Sequence, residues 1–212
     1  IPWRPSADRQ PVWDWLRSNH WGNPYLGWEV VEGQPPAGPW CKAAAVADAL
    51  TRTTADTLII ADADVWCAGV ADAVDGIRAG YEWAIPHRMV YRLKPAPTAA
   101  TLAGTDPPPL GPVIRKPYVG WAGGGIVVIR RDTYEHVPLD HRFTGWGSED
   151  ASWAIALTTM VGQRWRGTAD LVHLWHEEEP RGAAEFGSHE NHWLYQQYQN
   201  AGGSLASMGA LL

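Results

Sequence analysis

Several groups of residues in this chain have the types and spacing to do chemistry together. Asp62 and Asp64 close the stretch L-I-I-A-D-A-D-V from Leu58 to Val65, an apolar run of strand length that carries two carboxylates at its C-terminal end. In an α/β sheet that edge is where ligands bind. Acids spaced i, i+2 on extended backbone point to one side. That suits a hard divalent cation, which takes carboxylate oxygens and keeps positions open for a diphosphate. Later, H-L-W-H places His173 and His176 at the end of an apolar run. Either imidazole could complete the coordination, and a nitrogen donor beside carboxylates tilts the choice from Mg²⁺ toward Mn²⁺. Glu149 and Asp150 follow the loop F-T-G-W-G-S. There one carboxylate could take a proton from an acceptor hydroxyl while Trp146 forms a stacking floor for a sugar ring. Arg4, Arg9 and Lys42 could hold phosphates. Lys42, near a helix start, is at the wrong end for the helix dipole, which a phosphate there would explain.

Each group also has an ordinary reading. Paired acids follow many buried strands, acids at a helix start are favoured by the dipole, and histidines at a strand end are usually satisfied by neighbours or water. Glu177, Glu178 and Glu179 read as a solvated acidic run.

The elements that must position these residues can be read from periodicity. I-P-W-R-P resembles the end of a strand broken by proline. Asp8 is placed to cap a helix carrying Pro11 in its first turn and Val12, Trp15 and Leu16 on one face. A strand is expected over Trp28 to Val31, a helix from Trp40 to about Thr51, the strand Leu58 to Ala61, and a helix with Val70, Ala73, Val74 and Ile77 on one stripe. A short strand over Trp83 to Ile85 follows. This alternation predicts one α/β domain with a mostly parallel, Rossmann-like central sheet flanked by helices. From His87 to Gly120 prolines gather and periodicity fails, which predicts a mobile loop. A strand over Ile126 to Ile129 follows three glycines. A helix carries Trp153, Leu157 and Val161, a last strand covers Leu171 to Trp175, and a closing helix spans about His189 to Gln199. The regular pattern thus falls into two stretches, residues 1–86 and 121–200, on either side of the expected loop. The tail, 201–212, is expected to fray.

Composition sets the outer bounds. The 212 residues suffice for one domain with a real core, and a formal net charge of −6 disfavours nucleic acid as a partner. No apolar run approaches bilayer length and no charged-then-apolar leader opens at Ile1, so a soluble, cytoplasmic protein without a membrane span is expected. Cys41 and Cys67 are too few for a disulfide framework and fit two free thiols in a reducing compartment. The Ala- and Arg-rich, Lys-poor composition suggests a bacterial or bacteriophage genome. Fourteen tryptophans recur beside glycines and acids as well as in apolar runs.

Taken in order, I-P-W-R, L-I-I-A-D-A-D-V, the triple glycine before Ile126, G-W-G-S-E-D and H-L-W-H make the chain resemble metal-dependent glycosyltransferases of the GT-A fold. It is most similar to the group of the animal β-1,4-galactosyltransferases and related bacterial polysaccharide synthases. The resemblance implies a hexosyltransferase that uses Mn²⁺ or Mg²⁺ and a nucleotide-sugar donor, with UDP favoured. It places Pro2, Trp3 and Arg4 around the nucleotide, together with the D-x-D at Asp62, Ala63 and Asp64. Gly124 and Gly125 lie beside the donor sugar, and Trp146 and Glu149 contact the acceptor. Asp150 is implied as the base, and His176 as a metal ligand with His173 beside it. The spacing of Arg9 and the presence of Ala151 depart from the family pattern. The implied reaction is an inverting displacement in which the acceptor is a glycan, a protein or another hydroxyl, with a nucleobase less favoured. A nucleotidyltransferase would use the same acids and metal but leaves G-W-G-S-E-D without a job. A non-catalytic sugar-binding protein is the remaining alternative.

Overall fold

Alternating burial along three strands divides the molecule into layers. In the computed structural model, which describes residues 1–22, 27–104, 118–177 and 187–212, β1 (Thr57–Ala61) sends Leu58 and Ile60 to one face and Ile59 and Ala61 to the other. β3 (Trp83–Arg92) and β5 (Ile126–Arg130) alternate in the same way: Trp83, Ile85, Val127 and Ile129 oppose Ala84, Ile126 and Val128. A period of two with both faces apolar is what a sheet covered by helices on both sides requires.

On one face lie α2 (Lys42–Leu50), α6 (Glu149–Met160), α7 (His189–Ala201) and α8 (Leu205–Leu211), which contribute Val46, Trp153, Leu157, Leu194, Tyr198 and Met208 to the core. On the other lie α1 (Gln10–Leu16) and α3 (Val70–Arg78), with Val12, Trp13, Leu16, Val70, Ala73 and Ile77 buried, and α4 (Pro95–Leu102) adding Leu102. α5 (Arg131–His136) follows directly on β5. In α1 it is Trp13 rather than Trp15 that reaches the core, and Arg9 rather than Asp8 stands at the N-cap. Cys41 and Cys67 are buried free thiols in different clusters. Among the described residues no helix is long and apolar enough to cross a membrane.

The sheet corrects the expectation of a mostly parallel one. Its order is β1-β5-β3-β6-β2, with β6 at Trp165–His173 and β2 at Val65–Cys67, and β4 (Tyr118–Val119) pairs with β3. β3 and β6 run parallel, while β1 with β5, β5 with β3, β2 with β6 and β3 with β4 are antiparallel. The sheet is therefore mixed within a single α/β domain. β5 returns between β1 and β3 in the opposite direction, so strands from both halves of the sequence interleave. Strand alternation along a chain does not specify such an insertion.

Other elements also differ from expectation. Trp28 to Val31 forms no strand; the N-terminal segment is fixed instead by a parallel bridge from Pro2 to Gly33. The strand expected to stop at Ile85 continues to Arg92 through Pro86, because the register shifts on either side of His87 free the ladder from needing a donor there. Part of the expected loop is helical: α4 takes Pro95 and Pro97 near its start, where an amide donor is not needed. Residues 105–117 of that segment lie outside the described residues. The expected frayed tail is α8, whose first turn is capped by the Ser204 hydroxyl accepting from the Ser207 amide, and whose Met208 is fully buried.

Candidate active site

The chain turns immediately after β1, and the turn sends its two acids to different places. Residues 63 and 64 form a turn that leads straight into β2. Asp62 and Asp64 are therefore not side by side on extended backbone, which corrects the geometry expected from their spacing.

Asp64 meets the two histidines. β2 pairs antiparallel with the end of β6, with Val65 opposite His173, and the amide of Leu174 donates to the Asp64 carbonyl at 2.9 Å. That pairing brings Asp64 Oδ2 to 2.9 Å from His176 Nε2 and Asp64 Oδ1 to 3.7 Å from His173 Nε2. One ligand atom from each residue lies within 4.8 Å of the others. Burial alone would raise the Asp64 carboxyl. The charge of His173 and the hydrogen bond and charge of His176 outweigh it and hold the group well below the usual carboxylate range. Burial lowers His173, whereas His176 is raised because its bond to Asp64 outweighs burial.

Two observations fit this trio to a divalent cation. Asp64 Oδ1 is buried without a hydrogen-bond partner, a cost a metal would remove. His176 Nδ1 donates to the carbonyl of Glu177 at 2.7 Å, which fixes the ring so that Nε2, which bonds Asp64 here, would present its lone pair to a cation held by that carboxylate. Imidazole and carboxylate together suit Mn²⁺.

Asp62 goes the other way. Its Oδ1 lies 2.8 Å from Lys42 Nζ, and the same ammonium lies 2.9 Å from Asp150 Oδ1. Lys42 is 8% exposed. Burial would lower its pKa, but the charges of Asp150, Asp62 and Glu149 raise it well above the ordinary lysine value. These carboxylates, rather than a phosphate, account for a lysine in the first turn of α2. Burial raises Asp150, with Lys42 opposing. Burial and the neighbouring charge of Asp150 push Glu149 up to about 7.

Gly123 to Gly125 lie against both Asp62 and Asp150. The Asp62 amide donates to the Gly125 carbonyl at 2.9 Å, and a Cβ on Gly123 would collide with the Asp150 carbonyl. A Cβ on Gly124 would stand 3.1 Å from Asp150 Oδ2. Asp150 therefore has one oxygen on Lys42 and the other over bare glycine backbone.

The loop before α6 is held from behind. Asn191, 2% exposed, donates through Nδ2 to the carbonyls of Thr144 at 3.0 Å and Gly147 at 3.1 Å, and the Gly145 amide donates to the Trp40 carbonyl at 2.7 Å. Ser148 turns into α6 at φ 74°. Glu149 Oε2 accepts from the Gly147 amide at 3.1 Å, so this carboxylate faces its own loop. Trp146 stays exposed. An apolar groove of about 340 Å³ is lined by Trp121, Ala151, Ile155, Thr158 and Tyr195.

The N-terminal residues contribute mainly structure. Trp3 is buried against Trp13, with ring centroids 6.0 Å apart, in the cluster that includes Ala61 and has Ala63 packed against it. The Arg4 guanidinium donates to the carbonyls of Gly38 and Pro36 and sits over the Trp40 ring, so it braces the Pro36–Pro39 turn. Arg9 lies close enough to act on the charges of Asp64 and His176. Sequence reading did not single out Asn191 or Trp121. A buried asparagine satisfied by loop carbonyls has no motif, but an aromatic just before three glycines was a visible signal.

Family models, curated proteins and solved structures return no match to this chain.

Proposed function

We propose that this chain is a metal-dependent, inverting glycosyltransferase of GT-A type that moves a hexose from a nucleotide-diphosphate sugar, with UDP favoured, to an acceptor hydroxyl. The observation that carries the reading is the division of the D-x-D pair. Asp64 joins a His–His–carboxylate trio suited to a cation, and two positions away Asp62 joins a Lys42–Asp150 centre suited to proton transfer.

In this reading Lys42 holds Asp150 Oδ1 and leaves Oδ2, over Gly124, to take the proton of an acceptor hydroxyl. As that O–H bond breaks, the acceptor oxygen bonds to the anomeric carbon from the face opposite the diphosphate. The bond to the diphosphate oxygen breaks and the configuration inverts. Bound by Asp64, His173 and His176, Mn²⁺ would supply Lewis-acid stabilisation of the charge on the departing diphosphate. The groove beside Ala151, with Trp121 and Tyr195 on its walls, offers aromatic faces to the acceptor. Glu149 accepts from its own loop, so it shapes the acceptor side by fixing the Gly145–Gly147 turn.

The test is Mn²⁺-dependent hydrolysis of a panel of nucleotide sugars, since slow donor hydrolysis needs no known acceptor. Asp64→Ala is expected to abolish metal-dependent nucleotide binding. Asp150→Asn is expected to keep that binding and lose transfer by roughly 10²- to 10⁴-fold. Full turnover in Asp150→Asn refutes the assignment of the base, and no hydrolysis of any nucleotide sugar refutes the reading as a whole.

A further inference from the structure

Away from the acidic clusters, the segment after α1 gathers a second set of aromatic rings. Arg17–Trp21 forms a π-helical turn, a wider winding frequent at functional sites, and it sets His20 and Trp21 side by side. His20 stacks on Trp66 of β2 with ring centroids 5.0 Å apart and planes 14° apart, and Trp15 packs against both rings. Trp21 packs against Trp28 at 6.3 Å. His20, Trp66, Trp21 and Trp28 line a cavity of about 150 Å³, with Cys67 also in its wall.

Size, polarity and charge define what fits. The cavity is smaller than the roughly 300–1,000 Å³ of pockets for drug-sized ligands, so it suits a compact group rather than a sugar nucleotide. The Trp21 indole N–H is already spent on the Val65 carbonyl, so that residue offers its ring face instead of its donor. No lysine or arginine lines the cavity among the described residues. Burial lowers His20, which leaves that ring neutral near pH 7 and without repulsion for a cation. Burial pushes the Cys67 thiol up to about 11 against a backbone hydrogen bond from Gly69, and Asp170 and Asp72 lie close enough for their charges to add to the rise, so the thiol is neutral. Neither of those carboxylates has an ion-pair partner among the described residues.

We propose that this cavity is a cage for a methylated ammonium group, such as the head of choline or the side chain of trimethylated lysine. The faces of Trp21, Trp28 and Trp66 supply cation–π attraction, and Asp72 and Asp170 supply the surrounding negative charge. The site is independent of the glycosyl-transfer reading.

The test titrates the intact chain with tetramethylammonium, with choline and with dimethylbutanol, the neutral carbon isostere of choline. Tryptophan fluorescence and the indole N–H resonances report binding. Saturable binding of both cations is expected, with shifts at Trp21, Trp28 and Trp66, and binding of the isostere weaker by roughly tenfold or more. Trp28→Leu is expected to weaken choline by a similar factor. Asp72→Asn, on the exposed side of α3, is expected to weaken it severalfold with the thermal melt unchanged. Choline and trimethyl-lysine titrated in parallel rank the two sources, and either ranking retains the cage. Equal binding of cation and isostere, or no saturable response to either cation, overturns it.

Discussion

Lys42 and Asp150, separated by 108 positions in sequence, meet at 2.9 Å where the lysine is almost wholly buried. The same ammonium also neutralises Asp62. A buried cation facing three acids makes its removal costly in a way that sequence alone does not indicate.

Lys42→Met is expected to destabilise the chain by about 1–3 kcal/mol, because it leaves the half-buried Asp62 and Asp150, with Glu149 beside them, without their shared counter-charge. Urea unfolding measures the loss. Lys42→Met/Asp150→Asn is expected to recover part of it, and a double-mutant cycle with no coupling between the two sites contradicts the pairing.

Mn²⁺ is expected to raise thermal stability through Asp64, His173 and His176. At about a hundred times its Kd the gain is about 2.7 kcal/mol, and chelation reverses it. His176→Ala and Asp64→Ala should each abolish the response. An unchanged melt of the parent chain with Mn²⁺ counts against a cation site here.

Gly124→Ala places a methyl group 3.1 Å from Asp150 Oδ2. Transfer is expected to fall by at least about tenfold in kcat with Mn²⁺ binding retained, since a displacement near 1 Å can cost about a hundredfold. Single-turnover assays beside metal titrations check this, and equal loss of both functions would point to misfolding instead.

Two buried groups give pH dependences of opposite sign. Burial, with Arg166 adding to it, lowers His87 from 6.5 to about 4. The unfolded chain therefore binds the extra proton in that window, and stability rises with pH between about 4 and 6.5. His87→Phe should flatten that rise, which is on the order of 2–3 kcal/mol. Glu149 is raised from 4.5 to about 7, so here the folded chain holds the extra proton and stability falls with rising pH across that interval. Glu149→Gln should remove the fall. Denaturation midpoints from pH 4 to 8, taken as differences from the parent chain, separate the two.

Helices and strands with a long apolar stripe were legible in the sequence: α2, α3, α6 and α7 lie near their expected positions, as do β1 and β5. The strand order was not, because pairing joins segments distant in the chain and the inserted β5 leaves no local mark. β3 was hidden by Pro86, which reads as a stop unless a bulge relieves it. β2 is only three residues long. Asp62, Asp64, Asp150, His173 and His176 could be named from the sequence, but their grouping could not. The turn after β1 contains neither glycine nor proline, and the partner of Lys42 lies on a different helix.

Ala63 is all that separates the residue committed to the histidine trio from the residue committed to the lysine centre. Two residues of chain span at most about 7 Å, so covalent length caps the separation of the two acids' Cα atoms. The segment works as a ruler. Lengthening it by one residue would leave the chemistry of each side chain unchanged yet alter the spacing of the two centres.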